Sequence, residues 1–292
     1  MRINILFLII LLFIASPVYG GSIMNNDGAT VSLPHTQNFN GEEWDEEGYL
    51  TADECGGTAR RTTTGCYSGD CLKVIPPTSA CTGGGINGGA VGMGWYTYSG
   101  SSTMHWRFLI KFGSYYAPGQ TNGGGGLINK FLLSDSPSRV SILGFNCTGT
   151  GSGRYCAWAV LDRNEAYRFR TPPNRGWIED AVFKVSSTEH VDEWIAVEYA
   201  LNTSTGIGQL YLWTQDGTYN GILIDDVPLD TGINMNGFYF SYYNSYGESN
   251  ANNYFLMDEL VISTSYIGPP AGFVGGTTPT VTGCTLSGAS MQ

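Results

Sequence analysis

The chain has 292 residues, a formal net charge of -11 and only 13% charged residues. This composition argues against nucleic-acid binding, which requires a basic surface. The length is compatible with one large domain and a tail, and the 41 glycines and 13% aromatic residues fit many short strands joined by tight turns.

The first twenty residues have the pattern of a secretory signal peptide. Arg2 gives a positive start, residues 5–14 are apolar, and Gly20 is a small residue at the expected cleavage point. The apolar run is short for a membrane span, and an uncleaved anchor is the alternative interpretation. We therefore expect a secreted or cell-surface protein, extracellular or periplasmic, without membrane insertion.

The first half of the mature chain contains one strongly alternating segment. Residues 21–35 lead into the domain, and residues 36–50 predict a first strand and a polar turn. Residues 51–102 are predicted to be mostly loop, because they are rich in glycine. Residues 104–112 predict a strand with two distinct faces. Its apolar face carries Met104, Trp106, Phe108, Ile110 and Phe112, and its other face carries His105, Arg107, Leu109 and Lys111.

The rest of the chain continues as short strands and turns, without a helical period. Strands are predicted over residues 127–133, 140–145, 157–161, 166–170, 182–185, 193–201, 209–214, 237–243 and 254–264. Residues 195–201 alternate in the manner of a half-buried strand, and Asp216-Gly217 is a tight-turn signal. We predict an all-β, two-sheet antiparallel jelly-roll sandwich over residues 36–270, with its first and last strands adjacent.

Seven cysteines in an exported chain indicate disulfides. Cys147 and Cys156 flank a Gly-rich hairpin tip and are predicted to form a bridge. Two further bridges are expected in an earlier segment, with their pairing left open, among Cys55, Cys66, Cys71 and Cys81. A metal cluster is the rival interpretation, but the spacing lacks Cys-x-x-Cys and no His lies close in sequence.

The C-terminal part of the chain differs in composition from the rest. Residues 271–292 are interpreted as a Gly/Thr/Pro linker or as the start of a further, truncated domain. This segment contains Cys284, which has no evident partner, and we expect that its partner lies beyond residue 292.

Two segments resemble a known superfamily. Residues 193–223 give strand, turn, strand, Asp-Gly turn and strand, and residues 254–270 give a last strand with an acidic pair followed by Tyr-Ile-Gly-Pro. This series resembles the concanavalin A-like lectin/glucanase superfamily, and within it the laminin-G-like and polysaccharide-lyase branches. The resemblance implies a concave sheet that holds a glycan, so we expect a secreted protein that recognises a polysaccharide.

Basic side chains are the first candidates for glycan contacts. His105, Arg107 and Lys111 share one strand face, and Arg168 and Arg170 share another by the same rule. Guanidinium groups match carboxylate or sulfate geometry, so an acidic polysaccharide suits these faces. The alternative interpretation is an ordinary solvated sheet face.

Aromatic side chains are the second candidates, because sugar rings pack on aromatic faces. Tyr242 and Tyr246 lie in a very aromatic segment and are predicted to contact the glycan. A Gly-rich loop is predicted to hold further aromatic residues, namely Trp95, Tyr96 and Tyr98. Core or rim packing is the alternative for most of these rings.

A polysaccharide lyase is the main alternative function. β-Elimination from a uronate needs a carboxylate neutraliser, a base and an acid. The residues available for these roles are Arg107, His105 and Tyr242. The lyase branch implies an Arg/Glu/Arg strand and a Gln-x-His strand, whereas this chain has His105-Trp106-Arg107 and no Gln-x-His.

Two other classes remain open. A glycoside hydrolase would use paired carboxylates. Glu43, Asp45 and Glu47 have the bare spacing, but their context indicates a solvated acidic turn, so a hydrolase is less favoured than a lyase. The second class is a structural or adhesive cell-surface module.

A carboxylate pair in the last strand suggests a metal site. Asp258 and Glu259 lie in an apolar strand, so at least one points into a packed face and needs a partner. Similar jelly rolls hold calcium between the first and last strands, so the resemblance implies a structural calcium bound by Asp258 and an acidic residue of 42–47. A hydrogen-bonded buried Asp is the alternative, and no other cofactor is expected.

Overall fold

The computed structural model describes residues 29–39, 58–75, 89–114, 129–133, 141–148, 155–162, 190–244 and 251–273. These residues form strands and turns. The strands are β1 (Ala29–Thr30), β2 (His35–Gln37), β3 (Thr58–Thr62), β4 (Cys71–Ile75), β5 (Gly89–Ser101), β6 (Thr103–Phe112), β7 (Asn129–Leu133), β8 (Ser141–Thr148), β9 (Tyr155–Asp162), β10 (Trp194–Asn202), β11 (Ile207–Thr214), β12 (Asn220–Pro228), β13 (Met235–Asn244) and β14 (Phe255–Ser263). Across these ranges, no helix is long and apolar enough to cross a membrane.

The strands form two sheets. One has six strands in the order β1-β5-β13-β7-β8-β9, and the other has eight, in the order β12-β11-β10-β6-β14-β4-β3 with β2 beside β14. The strand pairs are antiparallel except β1 with β5. The predicted all-β, two-sheet antiparallel sandwich is therefore confirmed. The first strand predicted within residues 36–50 overlaps β2, which pairs with β14 as expected, whereas β1 precedes it and pairs with β5 in the other sheet.

The main core lies between the two sheets. The five apolar residues of β6 that were predicted to share a face all belong to this cluster, as do Ile195, Val197, Tyr199 and Leu201 of β10. The six-stranded sheet contributes Trp158, whose ring centroid lies 6.2 Å from that of Phe108. Each large buried apolar side chain stabilises such a core by ~1.5–3 kcal/mol.

The outer face of the eight-stranded sheet is also packed. Ala196 and Ala200 of β10 and Trp213 of β11 are buried there in a second apolar cluster that includes Phe273. The prediction of a half-buried strand is therefore wrong for β10, which is covered on both faces. Two distant parts of the chain cover this face. One is the β3–β4 loop, and the other is the segment of residues 265–273, which we call the strap.

The prediction of loop over residues 51–102 is wrong for most of the part that the structure describes. This region contains β3, β4 and the long strand β5, which pairs with β13 along most of its length. Glycine is depleted in strands, so the local pattern hides β5, and pairing with β13 overrides that preference. Trp95, Tyr96 and Tyr98 are therefore strand residues. The strands predicted at 166–170 and 182–185 lie outside the described residues.

Candidate functional site

The outer face of β6 carries the predicted basic residues. Because alternate residues of a strand share a face, His105, Arg107 and Lys111 lie on the side opposite to the core residues Trp106 and Phe108. β6 is central in its sheet, between β10 and β14. The surroundings of the three basic side chains differ along the strand, and this difference decides what each can do.

His105 is bound to a buried carboxylate. Its Nδ1 donates to Glu198 Oε1 at 2.7 Å. Glu198 is fully buried, and it also accepts hydrogen bonds from the backbone N–H groups of Ile267 at 3.1 Å and Gly268 at 2.8 Å. A buried carboxylate needs such donors, so Glu198 ties β6 to the strap.

Arg107 is also paired inside the protein. It is 8% exposed, its Nη2 lies 3.4 Å from Glu259 Oε2, and its Nη1 donates to the Gly268 carbonyl oxygen at 3.5 Å. A β-bulge in β14 between Asp258 and Val261 gives Glu259 a φ of 45°, and bulges of this kind redirect side chains. Burial lowers the pKa of Arg107, and the nearby Glu259 opposes that shift.

The strap packs against aromatic residues beside His105 and Arg107. The rings of Tyr211 and Trp213 are stacked, with their centroids 5.8 Å apart and an interplanar angle of 8°. The ring centroid of Tyr266 in the strap lies 5.3 Å from that of Tyr211 and 6.4 Å from that of His105. Burial raises the pKa of Tyr211 to about 12 and also raises that of Tyr266. These rings are covered by the protein itself, so their role here is packing.

Asp258 holds the β3–β4 loop. Its Oδ2 accepts from the N–H groups of Tyr67 at 3.2 Å and Ser68 at 3.0 Å, and its Oδ1 accepts from Glu259 N at 2.8 Å. Burial is the largest cause that raises its pKa to about 6. These contacts fit the alternative of a hydrogen-bonded buried Asp.

The calcium site itself stays a prediction. Its second set of ligands, acidic residues of 42–47, lies outside the described residues. Within the ranges that are described, no group of three or more His, Cys, Asp or Glu residues could hold a metal ion.

A row of basic residues crosses the other end of this face. Lys111 lies opposite Trp194 on one side and Leu256 on the other. Leu256 lies opposite Lys73, which in turn lies opposite Arg60. Directly opposed residues share a sheet face, so these residues form one line across β10, β6, β14, β4 and β3. We call Arg60, Lys73 and Lys111 the basic row.

The basic row is accessible. Arg60 is exposed, and Lys73 and Lys111 are partly exposed. Both ammonium groups lie near aromatic rings, because Lys73 Nζ is 4.3 Å from the Tyr254 ring centroid and Lys111 Nζ is 5.5 Å from that of Trp194. Neither lysine forms an ion pair with a carboxylate of the described residues. The ammonium groups of Lys73 and Lys111 remain available to an anionic ligand.

The residues predicted for a lyase are not brought together. Tyr242 lies on β13 of the six-stranded sheet, whereas His105 and Arg107 lie on the outer face of the eight-stranded sheet. The core face of β6 lies between them and the six-stranded sheet. Arg168, Arg170 and Tyr246 lie outside the described residues, so their predicted glycan contacts stay predictions.

The structure bears on two of the disulfide predictions. A bridge joins Cys66 and Cys71, which are two of the four cysteines expected to pair within their segment. Cys147 and Cys156 lie directly opposite each other in the β8–β9 register. The backbone register fits a bridge there, and the bridge itself stays a prediction.

Glu198, Lys73 and Arg60 were not predicted as site residues. Glu198 is the only charged residue of β10, and a lone carboxylate in an apolar strand was the signal that could have identified it. Lys73 and Arg60 lie on strands in the segment that was predicted to be loop, so no face could be assigned to them.

Comparisons with known proteins give distant structural similarities. No family model and no curated protein matches the chain. Among solved structures, it is similar to the catalytic domain of a glycoside hydrolase family 131 protein from Coprinopsis cinerea, with 14% identity, a TM-score of 0.43, and coverage of 74% of this chain and 80% of that chain.

Two further solved structures show similarity at the same level. A GH131 beta-glucanase catalytic domain from Podospora anserina has 14% identity, a TM-score of 0.39, and coverage of 68% of this chain and 73% of that chain. The alginate lyase vAL-1 from Chlorella virus has 10% identity, a TM-score of 0.34, and coverage of 70% of this chain and 89% of that chain. Similarities this distant carry no argument about the function of this chain, and the concanavalin A-like resemblance stays a prediction.

Proposed function

We propose that the protein is a secreted polysaccharide-binding module that holds an anionic glycan along the basic row. The observation that carries the proposal is the alignment of Arg60, Lys73 and Lys111 on one cross-strand line in a chain of net charge -11. Such a concentration of positive charge on one face of an acidic protein attracts anions locally.

The geometry of the basic row suits a chain that runs across the strands. Neighbouring strands lie ~4.8 Å apart, which is similar to the length of one sugar unit in an extended polysaccharide. Arg60 and Lys73, on neighbouring strands, can then meet the anionic groups of neighbouring sugars, and Lys111, two strands from Lys73, can meet that of a sugar further along. The partly exposed Tyr254 ring beside Lys73 adds a surface on which the apolar face of a sugar can pack.

The proposal keeps Lys111 as a glycan contact and gives Arg107 and His105 a different role. Their side chains are bound to Glu259 and Glu198 beneath the strap. Breaking these internal pairs to bind a ligand would remove a cationic partner from the buried Glu198 and from the partly buried Glu259, which is costly. Binding is favoured over the lyase alternative because His105 and Tyr242 lie on different sheets.

Matched polymers and matched variants test this function. We expect the protein to bind dextran sulfate and polygalacturonate and to bind neutral dextran much more weakly. The double variant Lys73→Gln/Lys111→Gln should bind dextran sulfate about 2- to 30-fold more weakly, because each of its two exposed charge pairs contributes ~0.2–1 kcal/mol. Isothermal titration calorimetry measures both effects.

Arg61→Gln is the control variant. Arg61 is next to Arg60 in sequence but pairs with Asp70 at 3.6 Å and lies opposite the core residue Leu72. It removes one positive charge outside the basic row, so binding should be unchanged. Equal binding of neutral and sulfated dextran, or equal loss in the control and the double variant, would overturn the proposal.

A further inference from the structure

We propose that the loop closed by the Cys66–Cys71 disulfide positions Lys111 for its anion, and that Tyr67 is the positioning residue. The inference rests on the proposed function, because it concerns the same basic row. It assigns a role to a loop that was expected only to be pinned by cysteines. Two contacts connect the residues, one between Lys111 and Trp194 and one between Trp194 and Tyr67.

Lys111 is confined on two sides. Its Nζ lies 5.5 Å from the Trp194 ring centroid, and a Cβ added to Gly65 would lie 3.6 Å from the same Nζ. Gly65 has a φ of 78°, which favours glycine, so the loop backbone can lie against the ammonium group. A lysine that is already confined loses less conformational entropy when it binds an anion.

Tyr67 in turn holds Trp194. The two rings meet edge to face, with their centroids 6.0 Å apart and an interplanar angle of 74°. The Tyr67 ring also contacts Phe273 of the strap at 6.0 Å, and its hydroxyl donates to the carbonyl oxygen of Ala271. Its backbone N–H donates to Asp258. Tyr67 is therefore fixed by both the strap and β14.

The disulfide completes this arrangement. Cys71 is fully buried in β4, and the bridge to Cys66 closes a loop with a sequence separation of 5. Because Tyr67 follows Cys66 directly, the bridge limits where the Tyr67 ring can lie. Lys73 is the internal control, since its ammonium group contacts Tyr254 rather than this loop.

A double-mutant cycle tests the coupling, with dextran sulfate as the probe. Tyr67→Ala should weaken binding about threefold to tenfold, which is the range expected when one long side chain must be immobilised on binding. The loss should disappear in a Lys111→Gln background and persist in a Lys73→Gln background. Tyr67→Phe keeps the ring and should bind as the wild type does. The same loss in both backgrounds, or no loss, would overturn the inference.

A second measurement needs no ligand. The sequence contains four lysines, so reductive methylation with carbon-13 gives few signals, and the modification keeps the charge. The Trp194 ring should shift the Lys111 methyl signal upfield. This shift should collapse in Tyr67→Ala and in Cys66→Ser/Cys71→Ser, while the Lys73 signal stays in place. A Lys111 shift that persists in both variants refutes the positioning role.

The two measurements separate the inference from the proposed function. If the wild type does not bind dextran sulfate, the proposed function fails, and the methyl shifts still decide whether Tyr67 positions Lys111. If the wild type binds through Lys73 and Lys111 but Tyr67 shows no coupling, only the inference fails. The disulfide-free variant and the reduced wild type replace Tyr67→Ala if that variant does not fold.

Discussion

The carboxylate of Glu198 and the imidazole of His105 are joined by a hydrogen bond of 2.7 Å between β10 and β6. The same carboxylate accepts the N–H groups of Ile267 and Gly268, so one buried acid connects two central strands to the strap. The strap then covers His105 and Arg107 on the outer β6 face and leaves Lys111 partly exposed. Glu198 therefore sets the boundary between the packed part of this face and the basic row.

Replacing Glu198 should destabilise the protein. In Glu198→Gln, one of the two acceptor oxygens becomes an NH₂ group, which leaves a buried donor of His105 or of the strap without a partner. We expect the free energy of unfolding to fall by ~1–3 kcal/mol. Urea unfolding measures the change. Asp225→Asn is the control, because Asp225 is exposed on β12, and it should change stability by less than ~0.5 kcal/mol. Equal effects in the two variants would contradict the role of Glu198.

Arg107 and Lys111 should give opposite results when each is replaced. Arg107→Ala removes a guanidinium that pairs with Glu259 and contacts Gly268, so it should lower the melting temperature and leave dextran sulfate affinity close to that of the wild type. Lys111→Gln should weaken binding with little effect on melting. Calorimetric melting and titration of both variants check this. A larger affinity loss for Arg107→Ala than for Lys111→Gln would restore Arg107 as a glycan contact.

Asp258 should make stability depend on pH. Its pKa is raised to about 6 in the folded protein, against an ordinary value of 3.8. The folded state thus binds this proton more tightly, so the free energy of unfolding should decrease by up to ~3 kcal/mol as pH rises from about 4 to about 6. Comparing urea unfolding of the wild type and Asp258→Asn across this range isolates the effect. A difference between them that does not change with pH would contradict it.

The alternation of β6 was sufficient to predict its two faces, and the predicted core residues, such as Trp106 and Phe108, are all buried. The alternation could not predict that Arg107 is buried and paired whereas Lys111 is partly exposed, because both are cations on the same strand face. The two residues differ because the strap covers Arg107. The strap is distant in sequence, since Arg107 and its partner Gly268 are 161 residues apart. Burial by a segment this distant in sequence does not show in the local hydrophobic pattern of β6.

The basic row was missed for a different reason. Only Lys111 was predicted, since β3 and β4 lie in a segment rich in glycine and cysteine. Their strands exist because Lys73 pairs with Leu256 and Arg60 pairs with Lys73 in the sheet. Tertiary pairing of this kind routinely outweighs weak strand propensity. Without those strands, Lys73 and Arg60 could not be placed on the face of Lys111.

Cys147 and Cys156 should be bridged in secreted protein. They are directly opposed in the β8–β9 register, and opposed residues of an antiparallel pair have Cβ atoms ~4.5–5.5 Å apart, near the distance that a disulfide spans. Peptide mapping without reduction should recover a linked pair of peptides that contains both residues. Recovery of both as free thiols from freshly secreted material would reject the bridge.

The salt dependence of dextran sulfate affinity is the sharpest test of glycan binding through the basic row. The Debye length falls from ~30 Å at 0.01 M to ~3 Å at 1 M ionic strength, so contacts between exposed charges weaken over this range. Titration of dextran sulfate into the wild type should show an affinity that falls steeply with salt, and Lys73→Gln/Lys111→Gln should show a clearly smaller fall. An affinity of the wild type that does not change with salt, or an equal salt dependence in the double variant, would contradict binding through the basic row.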